Sequence, residues 1–109
     1  LVGWWTFDGK DVNWTTGTAM DKSGNGYNGT MYFMATRTSP VAGKLGQGLK
    51  YTGGSGSSKE RIYLPESFPD PARRTISAWV KLSSSAGGVI LSRSTMLTFA
   101  INTPAKLSC

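Results

Sequence analysis

The chain predicts an all-β fold, an antiparallel β-sandwich, on three observations. No apolar pattern of helical period runs through it. A Gly, a Pro or a Ser/Thr cluster interrupts nearly every window of about ten residues. Between the interruptions lie about seven or eight short alternating runs, the strand count of a sandwich.

Residues 1–8 read as the first strand, with Trp5 and Phe7 facing the core and Trp4, Thr6 and Asp8 on the other side. In Ser23-Gly24-Asn25-Gly26, Gly and Asn supply the positive φ of a tight turn, and Asp21 can accept from the amides that follow it. Residues 30–36, 45–52, 61–64, 75–82, 89–93 and 97–102 are the further strand candidates. Gly53-Gly54-Ser55-Gly56-Ser57-Ser58 is a flexible surface loop, and Pro65 and Phe68-Pro69-Asp70-Pro71 end a strand. Within 75–82, Ile76, Ala78, Val80 and Leu82 share one face, the one given to the core. Trp79 stands on the opposite face with Ser77 and Lys81. That second face is either a concave binding surface or the underside of a loop layer. Ala86-Gly87-Gly88 makes a hairpin turn into the strand that follows.

The whole chain of 109 residues, 1–109, fits a single domain. Hydrophobic residues make up 39%, with four Trp, four Tyr and four Phe, and only 17% are charged, so a packed core is expected rather than disorder. Twelve Lys and Arg oppose six acids for a net charge of +6, but the densest basic stretch is the pair Arg73-Arg74. No recognisable nucleic-acid module accompanies that charge, and no nucleic-acid partner is expected. No apolar run approaches the roughly 18 residues of a membrane span.

Catalytic signals are missing. The chain has no histidine and one cysteine, Cys109, which excludes a Ser-His-Asp or Cys-His arrangement, a zinc site and an intrachain disulfide. Its only glutamates, Glu60 and Glu66, do not form the paired carboxylates of a glycoside hydrolase. The expectation is a protein that is not an enzyme.

Binding is the remaining lead. Sugars present C–H faces that stack on Trp and Tyr while Asn and Asp meet their hydroxyls. Trp14 belongs to no alternating pattern, and Tyr27 is flanked by Asn25 and Asn28. These four residues and Trp79 are the ligand-binding candidates, Trp14 and Tyr27 each having the alternative of lying over a sheet edge as a lid and Trp79 that of packing beneath a loop layer. Asn13-Trp14-Thr15 and Asn28-Gly29-Thr30 have the form of N-glycosylation acceptors.

Four phrases carry a family resemblance: Gly3-Trp4-Trp5-Thr6-Phe7-Asp8, Asp21 through Gly29, Gly43-Lys44-Leu45-Gly46-Gln47-Gly48-Leu49, and Arg74-Thr75-Ile76-Ser77-Ala78-Trp79-Val80-Lys81. In this order they resemble the laminin-G-like, concanavalin-A-like lectin/glucanase superfamily. The resemblance implies a jelly roll of which this chain spans the N-terminal half to two-thirds. The family's acidic loop after the third phrase stands here as Tyr51-Thr52-Gly53-Gly54, so a role for acids there is not carried over. Members of the superfamily often hold Ca²⁺. Asp8, Asp21 and the carbonyls of residues 24–26 are the donors this sequence offers, the alternative being that Asp21 caps its own turn and Asp8 ends its strand.

The function expected is a non-catalytic binding module at the cell surface or outside the cell, for carbohydrate or adhesion. Its partners would be glycans or surface proteins. One alternative is a structural subunit that self-associates by strand sharing through open edges. Another is a targeting module of a larger secreted enzyme.

Overall fold

The computed structural model describes residues 1–34, 39–52, 59–83, 88–93, 97–102 and 106–108. Among them the chain is all-β, with every strand pairing antiparallel and a single 3₁₀ turn at Gly9–Asp11. It divides into two compact units, Leu1–Thr75 and Ile76–Cys109. The loop at 53–58, residues 35–36 of the second strand candidate, Ala86-Gly87 of the hairpin turn and Cys109 lie outside the described residues.

The first unit is built on a four-stranded sheet. Its strands are β1 (Val12–Asn13), β2 (Thr18–Ala19) and β3 (Gly29–Tyr32), joined after β4 (Pro40–Ala42) and β5 (Gln47–Leu49) by β6 (Arg61–Tyr63), in the order β1-β2-β3-β6. Register sorts the side chains into two faces, because directly opposed residues share a side. Val12 opposes Ala19, Ala19 opposes Gly29, and Met31 opposes Ile62. This is the inner face: Val12, Ala19 and Gly29 are buried, and Met31 and Ile62 half-buried. The other face runs Asn13, Thr18, Thr30, Tyr63, with Tyr32 opposite Arg61 beside them. Polar and aromatic side chains therefore face outward from a small apolar layer.

Gly29 lets the layer close. A Cβ there would stand 2.5 Å from Ile62 Cγ2, inside any van der Waals contact, so β3 and β6 meet at their present depth only because residue 29 has no side chain. Strands β4 and β5 form a separate hairpin, closed by Gly43 N–H donating to Gly46 O at 2.9 Å and continued by Lys50 N–H to Ser39 O at 2.6 Å.

Residues 1–8 are not a strand. Alternation breaks at Phe7, whose φ is +56°, a left-handed conformation costly for a bulky side chain. The segment is instead held at single points. Trp4 N–H donates to Asp21 Oδ1 at 2.9 Å, and Lys22 N–H donates to Trp4 O at 2.7 Å. Trp5 is half-buried, its indole N–H bonded to Tyr27 O at 3.0 Å and its ring tilted on Phe68 at 5.7 Å. Phe7 is also half-buried. Both residues assigned to a sealed core thus occupy its margin.

The second unit holds β7 (Gly88–Arg93), β8 (Leu97–Asn102) and β9 (Lys106–Ser108) as a three-stranded meander. The 89–93 and 97–102 candidates are realised here, with a register irregularity between Val89 and Leu91. Phe99 and Ala100 are buried, opposite Leu91 and Val89. The 75–82 candidate is not realised: it lies in no strand, and Val80 is exposed rather than in the core. Alternation creates a face, but a strand also needs a neighbouring edge to complete its hydrogen bonds.

Candidate functional site

The 21–29 turn is organised around one carboxylate. Asp21 Oδ1 accepts from Trp4 N–H and Ser23 N–H, both at 2.9 Å. Asp21 Oδ2 accepts from Tyr27 N–H at 2.9 Å and from the Ser23 hydroxyl at 2.8 Å. Burial pushes this carboxyl up, but the hydrogen bonds from the Ser23 and Trp4 amides, the Ser23 hydroxyl and the Tyr27 amide outweigh it and hold it down at about 2. Gly24 and Gly26 take positive φ, as the turn reading requires.

The asparagines of this turn are engaged within the chain. Asn25 Nδ2 donates to Val2 O at 3.0 Å and Leu1 O at 3.1 Å, fastening the N-terminal residues. Asn28 Oδ1 accepts from Asp21 N–H at 2.9 Å. Tyr27 is half-buried, edge-on to Phe68 at 5.2 Å, so that Trp5, Phe68 and Tyr27 make one aromatic group behind the turn. Trp14 is half-buried in the β1–β2 connection, where Asn13 Oδ1 accepts from the amides of Thr15 and Thr16 at 3.0 and 3.1 Å. Trp79 belongs to the second unit and is 76% exposed. The structure therefore brings Tyr27, Asn25 and Asn28 together, and places Trp14 on a separate connection of the same unit.

The Asp21 carboxylate, one of the donors named for calcium, is already engaged within the chain. A carboxylate offers about four lone-pair positions, and all four of Asp21 already receive an N–H or O–H. Asp8 caps the 3₁₀ turn, its Oδ1 accepting from Gly9 N–H at 3.1 Å and Gln47 N–H at 3.2 Å. Among the described residues no three acids or other metal-ligating side chains gather into a group. A further acid, Asp11, is buried and bound to the Thr6 hydroxyl at 2.6 Å and to Lys22 Nζ at 3.4 Å. The Thr6 bond, with Lys22 behind it, holds this carboxyl below its usual range against the effect of burial.

The residues that sequence reasoning missed lie on the outer face of the four-stranded sheet. Tyr32 on β3 and Tyr63 on β6 meet edge to face at 5.1 Å. The Arg61 guanidinium lies 5.1 Å from the Tyr63 ring centre, 5.6 Å from Tyr32 and 5.7 Å from Phe33. In a regular strand Phe33 would point away from Tyr32, toward the inner face. Its φ of +58° turns the chain at that residue, and the ring arrives at the same guanidinium. Backbone strain at a bulky residue persists only where the surroundings enforce it, and it gathers at functional places. The three rings stay 42%, 59% and 52% exposed for Tyr32, Phe33 and Tyr63. Thr30 and Thr18 continue the face with hydroxyls.

One signal was present in the sequence: both strand candidates, 30–36 and 61–64, carry aromatics. What joins them is the pairing Tyr32–Arg61, set across 29 positions of chain and invisible to local pattern. Comparison with family models, curated proteins and solved structures gives no match to the chain.

Proposed function

We propose that this chain is a non-catalytic carbohydrate-binding module of the laminin-G-like, jelly-roll type, working at a cell surface or outside the cell. The four sequence phrases support the family, and the all-β antiparallel architecture agrees with it. The observation that carries the binding function is the outward aromatic surface of Tyr32, Phe33 and Tyr63 around Arg61, continued by the hydroxyls of Thr30 and Thr18. Exposed rings grouped on one face offer stacking area at little entropic cost, since each has two side-chain torsions. Sugar C–H faces and hydroxyls are the complementary chemistry. Tyr27, Asn25 and Asn28 fit a supporting role in this reading, because the Asn25 side chain and the Tyr27 carbonyl hold the N-terminal segment and the Asn28 side chain holds the Asp21 amide.

A glycan array probed with the whole chain tests the proposal. Binding to a restricted set of saccharides is expected, with Tyr63→Ala or Tyr32→Ala weakening it by about tenfold or more, as loss of a central aromatic contact does. Silence across the array from folded protein would remove the function.

A second reading has its own observation. Residues 75–82 alternate like a strand, lie in no strand, and expose Trp79 and Val80. That pattern favours a subunit whose extended segment joins a neighbour's sheet edge. Concentration-dependent assembly in light scattering, abolished by a proline at Val80, is its expected signature; a monomer at high concentration would end it.

A further inference from the structure

The 21–29 turn contains two Asn-Gly pairs, Asn25-Gly26 and Asn28-Gly29, in very different surroundings. An asparagine before glycine can turn itself into an acid without an enzyme, because no side chain shields the glycine nitrogen from the asparagine Cγ. Asn25 and Gly26 are both exposed. Gly26 has a φ of +76°, and among the described residues nothing beyond its chain neighbours lies within 4 Å of where a Cβ would stand. Gly29 is buried in β3 opposite Ala19, with Ile62 Cγ2 only 2.5 Å from its absent Cβ. Asn28 Oδ1 is also tied to the Asp21 N–H at 2.9 Å. Cyclisation rotates the peptide unit between the two residues. At Asn25 that needs only the turn to open, and at Asn28 it needs β3 to part from its neighbours.

We propose that Asn25 is a self-modification site, whose side-chain amide is lost to solvent water, and that this loss releases residues 1–2 from the turn. Solvent takes the Gly26 amide proton, and the nitrogen attacks Asn25 Cγ. The Cγ–Nδ2 bond breaks, and Nδ2 leaves as ammonia with a proton returned by solvent. One water then opens the cyclic imide at either carbonyl, giving aspartate or isoaspartate. The sum is amide plus water to carboxylate plus ammonium, with no change of oxidation state. The consequence lies in what Nδ2 holds. It donates to Val2 O at 3.0 Å, Leu1 O at 3.1 Å and Ser23 Oγ at 3.3 Å. A carboxylate there can only accept, and the Ser23 hydroxyl already donates to Asp21 Oδ2 at 2.8 Å. The new charge would face two carbonyl oxygens and repel the Asp21 carboxylate of the same turn. Residues 1–2 come free, while Trp4 stays bonded to Asp21. The same amide must leave its three acceptors before it cyclises, so the clamp slows its own loss and does not re-form afterwards.

The test ages the whole chain at neutral and at mildly alkaline pH, once folded and once unfolded in urea, and follows both asparagines by peptide mapping with mass spectrometry. In urea the two Asn-Gly pairs should react at similar rates. In the folded protein Asn25 should react about tenfold or more faster than Asn28, since its turn opens locally while Gly29 is held in the sheet. Both rates should rise with pH, as removal of the glycine amide proton requires. Asn25→Asp stands for the aspartate product, and its release of residues 1–2 is read by NMR relaxation. The order parameters of the Val2 and Gly3 amides should fall from about 0.85 in the parent to below about 0.6 in Asn25→Asp, with Trp4 little changed. Circular dichroism and thermal melting confirm that the variant is folded. Asn28 reacting as fast as Asn25 in folded protein overturns the proposal. So does an Asn25 that stays intact when folded, under conditions where the unfolded chain reacts. Val2 and Gly3 order parameters unchanged in Asn25→Asp overturn the release.

Discussion

Trp4 and Asp21 are 17 positions apart and joined by a 2.9 Å hydrogen bond from the Trp4 amide to Asp21 Oδ1. With the Ser23 and Tyr27 amides and the Ser23 hydroxyl on the same carboxylate, one side chain closes the turn and fastens the N-terminal segment to it. Asp21→Asn keeps the shape but replaces one acceptor oxygen by an NH₂ that faces N–H groups. A loss of about 2–3 kcal/mol is expected, from weaker bonds and an amide left without an acceptor. Urea unfolding followed by tryptophan fluorescence measures it, since Trp5 packs against Phe68 beside this turn. A change below about 0.5 kcal/mol would show that the carboxylate does not hold the turn.

The same carboxylate sets an acid limit. Its pKa is near 2 in the folded chain against 3.8 ordinarily. A depressed folded pKa means that the contribution to stability is complete above the ordinary value and is lost as pH falls through about 2. After solvent screening the amount lost is about 1–2 kcal/mol. Denaturation midpoints measured from pH 5 to pH 2 should fall, and the fall should be shallower in Asp21→Asn. Parallel curves for the two proteins would assign the acid sensitivity elsewhere.

Because Asp21 has its acceptor positions filled, calcium should not stabilise this chain. A bound ion raises the melting temperature by mass action, and about 100 times its dissociation constant adds about 2.7 kcal/mol. Millimolar Ca²⁺ and EDTA should therefore give superimposable melting curves. A rise with Ca²⁺ that Asp21→Asn abolishes would mean that the turn opens to take the ion.

Those three expectations grow from a turn that was legible in sequence. Asp21 as a cap, and Gly24 and Gly26 at positive φ, follow from local stereochemistry and needed no tertiary information. The strands at Arg61–Tyr63, Gly88–Arg93 and Leu97–Asn102 were readable for a similar reason: each is a short alternating run between breakers. Residues 1–8 and 75–82 alternate equally well and form no strand, because pairing depends on an edge that local pattern does not record. Val12–Asn13 and Thr18–Ala19 are two residues each, too short to show any period. The aromatic surface was hidden twice over. Its two strands are distant in the chain, and Phe33 reaches it only through a backbone conformation its residue type disfavours.

Gly29 ties the sheet to that surface and gives the last prediction. Its absent Cβ would stand 2.5 Å from Ile62 Cγ2 on the inner face. Ile62 is β-branched and stiff, half-buried, and flanked on β6 by Arg61 and Tyr63, whose side chains point to the other face. In Gly29→Ala the added methyl cannot be absorbed by a rotamer change alone, so β6 must shift away from β3. Overpacking of this kind costs about 1–3 kcal/mol. The shift also separates Tyr63 from Tyr32, which stand 5.1 Å apart. Gly29→Ala should therefore weaken saccharide binding although residue 29 lies on the face opposite the aromatics. Ile62→Leu in the same chain removes the Cγ2 branch that meets the added methyl, at nearly constant volume, and should restore part of both stability and affinity. If Gly29→Ala melts like the parent and binds like it, β3 and β6 are not packed through Gly29 and Ile62.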